Sequence, residues 1–178
     1  MLIDRFIISK ILTKYNIKIT GALHVGAHEC EERDFYQSIG LQDSDVYWID
    51  ALEEKVTLNR DNGIPNIYQG VISDCDDKDV EFLRTNNNQS SSILELDTHL
   101  RHHPGIHVVE KRKLQTTTLD TFVERHSIPI EKCNFWNFDI QGAELLALKG
   151  GIESLQHARV LYLEVNEEHL YKDCGSYS

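Results

Sequence analysis

The chain has 178 residues, of which 40% are hydrophobic, and a formal net charge of −11. This length fits one domain with a real core, and so acidic a surface disfavours nucleic acid as a partner. No stretch approaches the roughly 20 apolar residues that span a bilayer, and the N-terminus lacks a signal peptide's apolar core, so we expect a cytoplasmic protein without a membrane partner.

Apolar patterning in the first half predicts alternating helices and strands. Residues 2–15 are expected to form an amphipathic helix that packs on the sheet, with its apolar face at Leu2, Ile3, Phe6, Ile7, Ile11 and Leu12. Residues 21–26 and 45–50 are expected as buried strands, followed by helices over 29–39 and 52–60. A third strand is expected over 67–72. This alternation predicts a parallel sheet with helical crossovers.

The second half continues the pattern. Short strands are expected over residues 80–83 and 107–111, around a polar loop at 86–92, and Thr118 can cap a helix that carries Leu119 and Phe122. An apolar strand over 135–138 ends on Asp139 and turns into a helix over 143–149, while the last strand covers 159–165. Within and beyond that helix, spacings of three or four join Leu145, Leu148, Ile152 and Leu155. We therefore expect one α/β domain over residues 1–178, with its core at 20–166 and a doubly wound, mainly parallel sheet.

Polar groups follow three of the predicted strands, at positions that would share the carboxyl edge of the sheet. Gly26 allows a ligand to approach the backbone, and the helix that follows offers amide donors. Asp50, which comes 24 residues later, is placed to accept hydrogen bonds from ribose hydroxyls, and Ser73 and Asp74 would meet an adenine edge. Each group alone also fits a turn or a surface acid. Together they predict an adenosine-containing ligand.

The glycine content of the first turn narrows the choice of ligand. A dinucleotide fingerprint needs three glycines and this turn supplies Gly26 alone, while the Gly-Lys-Ser/Thr of a P-loop is missing. A nucleoside without phosphates fits better, and the positive sulfonium of S-adenosylmethionine suits an acidic pocket. A nicotinamide-dependent oxidoreductase is a disfavoured alternative.

Five segments of the chain resemble the FkbM-like methyltransferases in order and spacing, over about residues 21–171. They are HVGAHECEERDFY, WIDALEE, TTTLDTFVE, NFDIQGAELLALKGG and LYLEVNEEHLY. This resemblance implies a Rossmann-like class I methyltransferase fold, S-adenosylmethionine as donor, and O-methylation of a hydroxyl on a small-molecule or glycan acceptor, often a sugar or natural product. The resemblance assigns Gly26, Ala27 and His28 to the methionine-side loop, Asp50 to the ribose, Ser73 and Asp74 to the adenine side, and Asp139 to the sulfonium or the acceptor. Glu29 and Ala51 are further predicted donor-binding residues.

Methylation of an alcohol calls for a general base, because the hydroxyl holds its proton at neutral pH. Asp139 is the first candidate and His28 the second, with Glu164 near the end of the last strand as a third. Asp139 is also placed to cap the helix that follows it, and Glu164 fits a surface acid equally well. Glu144 is interpreted as an acid of the first helical turn.

Two features depart from the family pattern. His24 stands two residues before Gly26, where the family usually has an acid, and only 13 residues follow Val165. Class I methyltransferases normally continue with a helix and an antiparallel strand pair, so we expect that strand pair to be missing and the chain to be truncated at the C-terminus, or else a shortened member. The alternative function is therefore a non-catalytic, degenerate or truncated methyltransferase-fold binding domain.

No metal site is predicted. His99, His102, His103 and His107 lie close in sequence, but Pro104 and Gly105 break helical regularity and no acid or cysteine completes a known ligand spacing. The four cysteines are scattered without metal-ligand spacing, which favours reduced thiols.

Overall fold

The structure is a computed structural model that describes residues 4–87, 89–95, 105–164 and 171–172. Its helices are α1 (Arg5–Lys14), α2 (Arg33–Ser38), α3 (Glu53–Asp61), α4 (Leu119–Arg125) and α5 (Glu144–Lys149). Its strands are β1 (Ala22–Val25), β2 (Val46–Asp50), β3 (Ile67–Gln69), β4 (Val71–Ser73), β5 (Asp79–Thr85), β6 (Val108–Thr118), β7 (Phe135–Phe138) and β8 (Val160–Leu163).

The main sheet has five parallel strands in the order β3-β2-β1-β7-β8. Strands β2 and β3 lie on one side of β1, whereas β7 and β8, which come later in the chain, lie on its other side. The strand order therefore reverses between β1 and β7. Val25 pairs with both Ile49 and Phe138, which brings the ends of the three central strands to one level. Ligands of open α/β sheets bind at such a reversal, outside the carboxyl ends of the strands.

Helices cover both faces of this sheet, because alternate residues of each buried strand point to opposite sides. Trp48 and Phe135 pack with α1, α2 and α3, whereas Ile49 and Trp136 pack with α4. These side chains are almost completely buried. The layered arrangement confirms the predicted α/β class with a Rossmann-like parallel sheet.

The prediction of one strand over residues 67–72 was wrong. The chain instead leaves the main sheet at Gly70, and β4 joins a second sheet in the order β4-β6-β5. A Cβ atom at Gly70 would lie 2.4 Å from the Phe122 ring, and the Gly70 N–H donates to the Asp50 carbonyl at 2.9 Å. The break is therefore caused by close packing on α4, which the continuous apolar pattern does not reveal.

The strands predicted over 80–83 and 107–111 are parts of a longer hairpin. β5 and β6 run antiparallel, and β6 continues to Thr118, where its end pairs in parallel with β4. Thr118 then caps α4 as predicted, with its side chain accepting from the Thr121 N–H.

The predicted apolar face of α1 was only partly right. Leu12 is buried, and so is Ile8, which the prediction left out, whereas Phe6, Ile7 and Ile11 are 65%, 47% and 40% exposed. The helix packs through a narrow stripe of residues four apart, so the wider apolar surface stays outside the core. Leu2 and Ile3 lie outside the described residues.

The helix predicted over 143–149 is α5, but the apolar spacing does not mark its buried face. The helix ends at Lys149, and its buried residues are Glu144 and Ala147, while Leu145 and Ile152 are exposed. Gly150 ends the helix against β4, since a Cβ atom there would lie 2.0 Å from the Ser73 carbonyl oxygen.

Over the part of the chain that the structure describes, no helix is long and apolar enough to cross a bilayer. Cys30, Cys75 and Cys133 are free thiols. Cys174 lies outside the described residues.

Candidate functional site

A cleft of about 580 Å³ opens at the carboxyl edge of the main sheet. This volume falls within the range of small-molecule sites, which is roughly 300 to 1,000 Å³. Four strands, β1, β2, β7 and β8, are each followed by a residue that lines this cleft: Gly26, Ala51, Asp139 and Glu164. Polar side chains of the β5–β6 connection line another wall, at Asn87, Gln89, Ser90, Ser91 and Ser92.

Gly26 begins the turn after β1, with a φ of +95° that strains any other residue. A Cβ atom there would lie 1.9 Å from the Asp139 carbonyl oxygen, so the turns after β1 and β7 touch at this point. Gly26 lines the cleft, whereas Ala27 is completely buried behind it and is not among the lining residues.

The segment after Gly26 is a turn and not the start of a helix as predicted, because α2 begins only at Arg33. His28 and Cys30 both have positive φ values, of 42° and 57°. The His28 ring contacts the Glu31 carboxylate at 2.6 Å and lines the cleft. Glu29 instead pairs with Lys55 at 2.6 Å and does not line the cleft.

Asp50 ends β2 at the cleft and is 9% exposed. One carboxylate oxygen accepts the His28 N–H and the other accepts the Leu52 N–H, both at 2.8 Å. Burial raises the pKa of this carboxyl group, and the two hydrogen bonds oppose that rise. Each oxygen keeps a second lone pair for a ligand hydroxyl.

Ser73 and Asp74, the predicted adenine-side residues, are not among those lining the cleft. Ser73 is buried, and its hydroxyl lies 3.3 Å from the Asp74 carboxylate. Apolar residues of β4 and β5 line the cleft instead: Val71, Ile72 and Phe82. A contact of Ser73 or Asp74 with adenine remains a prediction.

Asp139 and Glu164 follow β7 and β8 and are joined by Gln141. The Gln141 amide nitrogen donates to Asp139 at 2.6 Å and to Glu164 at 2.9 Å. Burial raises the pKa of both carboxyl groups, and a nearby acid raises each pKa further. No role in the site is predicted for Gln141 from the sequence. Its position between two strand-end acids is visible in the sequence, but the bridge depends on how β8 pairs with β7.

Glu144 supports the turn after β7 and does not line the cleft. Its side chain accepts the backbone N–H groups of Ile140 and Gly142 at 3.0 and 3.2 Å. Burial raises its pKa to about 7. This placement agrees with its interpretation as an acid of the first helical turn.

Two basic side chains line the cleft and were not predicted, Arg5 from α1 and Lys55 from α3. Arg5 pairs with Glu32, and Lys55 pairs with Glu29. Acids nevertheless predominate along the lining, at Glu31, Glu32, Asp50, Asp139 and Glu164. An excess of carboxylates in a partly buried cleft favours a ligand that carries positive charge.

His24, the departure from the family pattern, lies in the core and not at the cleft. It is 1% exposed, its ring stacks on Trp48 with centroids 4.6 Å apart, and Nδ1 lies 3.0 Å from the Tyr36 hydroxyl. Burial lowers its pKa to about 3, so the ring is neutral.

Among the residues with described positions, no group of three or more potential ligands could hold a metal ion. His107 lies beside β6, where its N–H donates to Asn86 at 3.1 Å. The other histidines of that sequence group, His99, His102 and His103, lie outside the described residues.

Comparison with known proteins identifies one related family. Residues 24–178 match the family model described as the methyltransferase FkbM domain. The match begins within β1 and covers the other four strands of the main sheet and the cleft-lining turns, and it leaves out α1, which supplies Arg5. No curated protein and no solved structure matches the chain.

Proposed function

We propose that this chain, which belongs to the FkbM methyltransferase family, transfers a methyl group from S-adenosylmethionine to a hydroxyl of a sugar, a glycan or a small natural product. Family membership supports methyl transfer, while the donor and the acceptor are the proposal. The observation that carries it is the position of Asp50, a mostly buried carboxylate at the end of β2 that faces the same cleft as Gly26 and Asp139.

The cleft residues fit this donor. Asp50 is available to accept ribose hydroxyls, and the apolar side chains of Val71, Ile72 and Phe82 offer walls for a flat base. The turn after β1 has one glycine and no phosphate cradle, which suits a nucleoside better than a dinucleotide. S-adenosylmethionine, when bound, supplies a methyl group on a positive sulfur that retains the electron pair of the broken bond.

Asp139 is the residue that we assign as general base. It lines the cleft. Its carboxylate takes the proton of the substrate hydroxyl while that hydroxyl's oxygen bonds to the methyl carbon. Burial raises the pKa of Asp139, which moves it closer to neutral pH, where a base is most effective. His28 is the second candidate, since its ring also lines the cleft and contacts Glu31.

The wall formed by the β5–β6 connection suits a hydroxyl-rich acceptor. Its amide and hydroxyl side chains can both donate and accept hydrogen bonds, and three of them are Asn87, Gln89 and Ser91. The acidic lining disfavours strongly anionic acceptors.

A methyl-transfer assay tests this function. The chain is incubated with methyl-labelled S-adenosylmethionine and a panel of neutral sugars, amino sugars, glycans and polyhydroxylated natural products. Labelled product is expected, and Asp139→Asn should lower turnover by about 10² to 10⁴-fold. The exposed Asp34→Asn is the matched control. A folded chain that binds the donor and labels no acceptor would instead support the non-catalytic binding domain.

A further inference from the structure

Gln141 makes contacts with three separate segments of the chain. Its amide nitrogen donates to Asp139 at 2.6 Å and to Glu164 at 2.9 Å, and its amide oxygen accepts the Tyr171 hydroxyl at 2.8 Å. Its backbone carbonyl accepts the Ser92 hydroxyl at 2.9 Å. One side chain therefore connects the ends of β7 and β8 with Tyr171.

These contacts define which way the Gln141 amide points. In the opposite orientation, the amide oxygen would face two carboxylates, and neither of them, when ionised, has a hydrogen to donate. The present orientation gives each carboxylate one amide hydrogen and gives the Tyr171 hydroxyl an acceptor. It is the orientation in which every one of these groups is satisfied.

The backbone of Gln141 adds a second observation. Its φ is +56°, in the left-handed region that glycine adopts without strain. Such strained positions persist where the surrounding structure fixes the backbone, and they are frequent at functional sites. A glycine would make the turn more easily, but it would leave Asp139 and Glu164 without their shared donor.

We propose that Gln141 is a positioning residue for the methyl transfer, holding the carboxylates of Asp139 and Glu164 side by side as hydrogen-bond acceptors that face the cleft. The inference rests on the proposed function. Two neighbouring, partly buried carboxylates repel each other, so that one of them tends to take up a proton. The Gln141 amide opposes this, because it donates to both and favours their ionised forms. It keeps Asp139 available as the proton acceptor.

The charge state of this pair also depends on its neighbours. The groups that interact with Asp139 or Glu164 come from the turn after β1, from β8 and α5, and from the residues beyond β8: His28, Glu31, Glu32, Tyr162, Glu144 and Tyr171. Burial and the nearby acids raise the pKa of the pair, and the hydrogen bonds from Gln141 lower it. A variant that changes only the amide therefore isolates its contribution.

The test compares Gln141→Met with the wild-type chain. Methionine has a similar length but no hydrogen to donate. Carbon-13 NMR of the side-chain carboxyl groups follows the titration of Asp139 and Glu164 in the free protein. The midpoints should rise by about one pH unit in Gln141→Met, as expected for loss of a hydrogen bond to a charged group. Gln156→Met, at an exposed glutamine, should leave them unchanged.

A second readout concerns the donor site. At pH values below the carboxyl midpoints measured for the wild-type chain, the advantage of S-adenosylmethionine over S-adenosylhomocysteine in binding should fall by up to about tenfold in Gln141→Met, because the pair is then less ionised beside the sulfonium. A merely structural loss would weaken both ligands equally and leave this ratio constant.

Unchanged carboxyl midpoints in a folded Gln141→Met chain would overturn the proposal. If that variant does not fold, Tyr171→Phe decides, since it removes the hydroxyl that orients the amide. A smaller rise in the same direction is expected there, and no rise would overturn the proposal. Absence of donor binding by the wild-type chain would refute the proposed function separately, because the carboxyl titrations need no ligand.

Discussion

The backbone N–H of His28 donates a 2.8 Å hydrogen bond to the carboxylate of Asp50, which joins the turn after β1 to the end of β2. The other carboxylate oxygen accepts the Leu52 N–H at the start of α3. Asp50 therefore shapes the wall of the cleft and faces it at the same time.

Replacing Asp50 with asparagine should weaken donor binding with only moderate loss of stability. The amide keeps one acceptor oxygen and loses the charge, so S-adenosylhomocysteine should bind about 10 to 100-fold more weakly, the loss expected for a hydrogen bond to a charged group. Calorimetric titration measures this loss. Asp61→Asn, at an exposed acid, is the control and should bind normally. Equal affinities of the two variants would remove Asp50 from the donor site.

Gly26 and Gly40 form a matched pair for testing the contact between the turns after β1 and β7. Both have φ near +95°, but a Cβ atom at Gly26 would lie 1.9 Å from the Asp139 carbonyl oxygen, whereas nothing lies within 4 Å at Gly40. Gly40→Ala should cost about 1 to 3 kcal/mol of unfolding free energy through backbone strain. Gly26→Ala should cost clearly more, beyond about 4 kcal/mol, or prevent folding. Urea unfolding compares them, and equal costs would contradict the close approach.

Glu144 should make stability depend on pH. Burial raises its pKa from 4.5 to about 7. Between these values the native state holds a proton that the unfolded state has released, so the free energy of unfolding falls as pH rises, by up to about 3 kcal/mol. Glu144→Gln keeps an acceptor for Ile140 and Gly142 but does not titrate. Its stability relative to wild type should therefore increase from pH 4.5 to pH 7 in urea unfolding, whereas exposed Glu153→Gln should show no such trend. A constant difference would contradict the raised pKa.

Replacing His24 with aspartate should destabilise this chain. An aspartate would place a carboxylate in the core next to Trp48, in the neighbourhood of Glu32, whose carboxylate lies 3.9 Å from the His24 ring. His24→Asn is the matched control, since it loses the same ring without adding a charge. His24→Asp should be less stable than His24→Asn by about 2 kcal/mol at pH 7. Urea unfolding decides, and an aspartate variant at least as stable as the asparagine variant would contradict the placement of residue 24 in a buried, neutral environment.

The positions of Gly26, Asp50 and Asp139 relative to one another could be predicted from sequence. Each follows a buried apolar run, and parallel strands bring their carboxyl ends to one edge, so the pattern alone indicates that these residues approach each other. The register confirms this, since Val25 pairs with both Ile49 and Phe138.

Other features depend on packing that no local pattern records. The departure of β4 from the main sheet follows from the contact of Gly70 with Phe122, two residues far apart in sequence. The bridge formed by Gln141 requires Glu164 to lie beside Asp139, which is decided by the pairing of β7 with β8. Arg5 reaches the cleft because α1 packs on the sheet through Ile8 and Leu12.

The central claim is that the cleft at the ends of β1, β2 and β7 holds S-adenosylmethionine. The most direct measurement is calorimetric titration of S-adenosylmethionine, S-adenosylhomocysteine and NAD into the wild-type chain under one set of conditions. We predict micromolar binding of the first two and none of NAD. A folded chain that binds neither adenosyl compound, or that binds NAD in their place, would contradict this account.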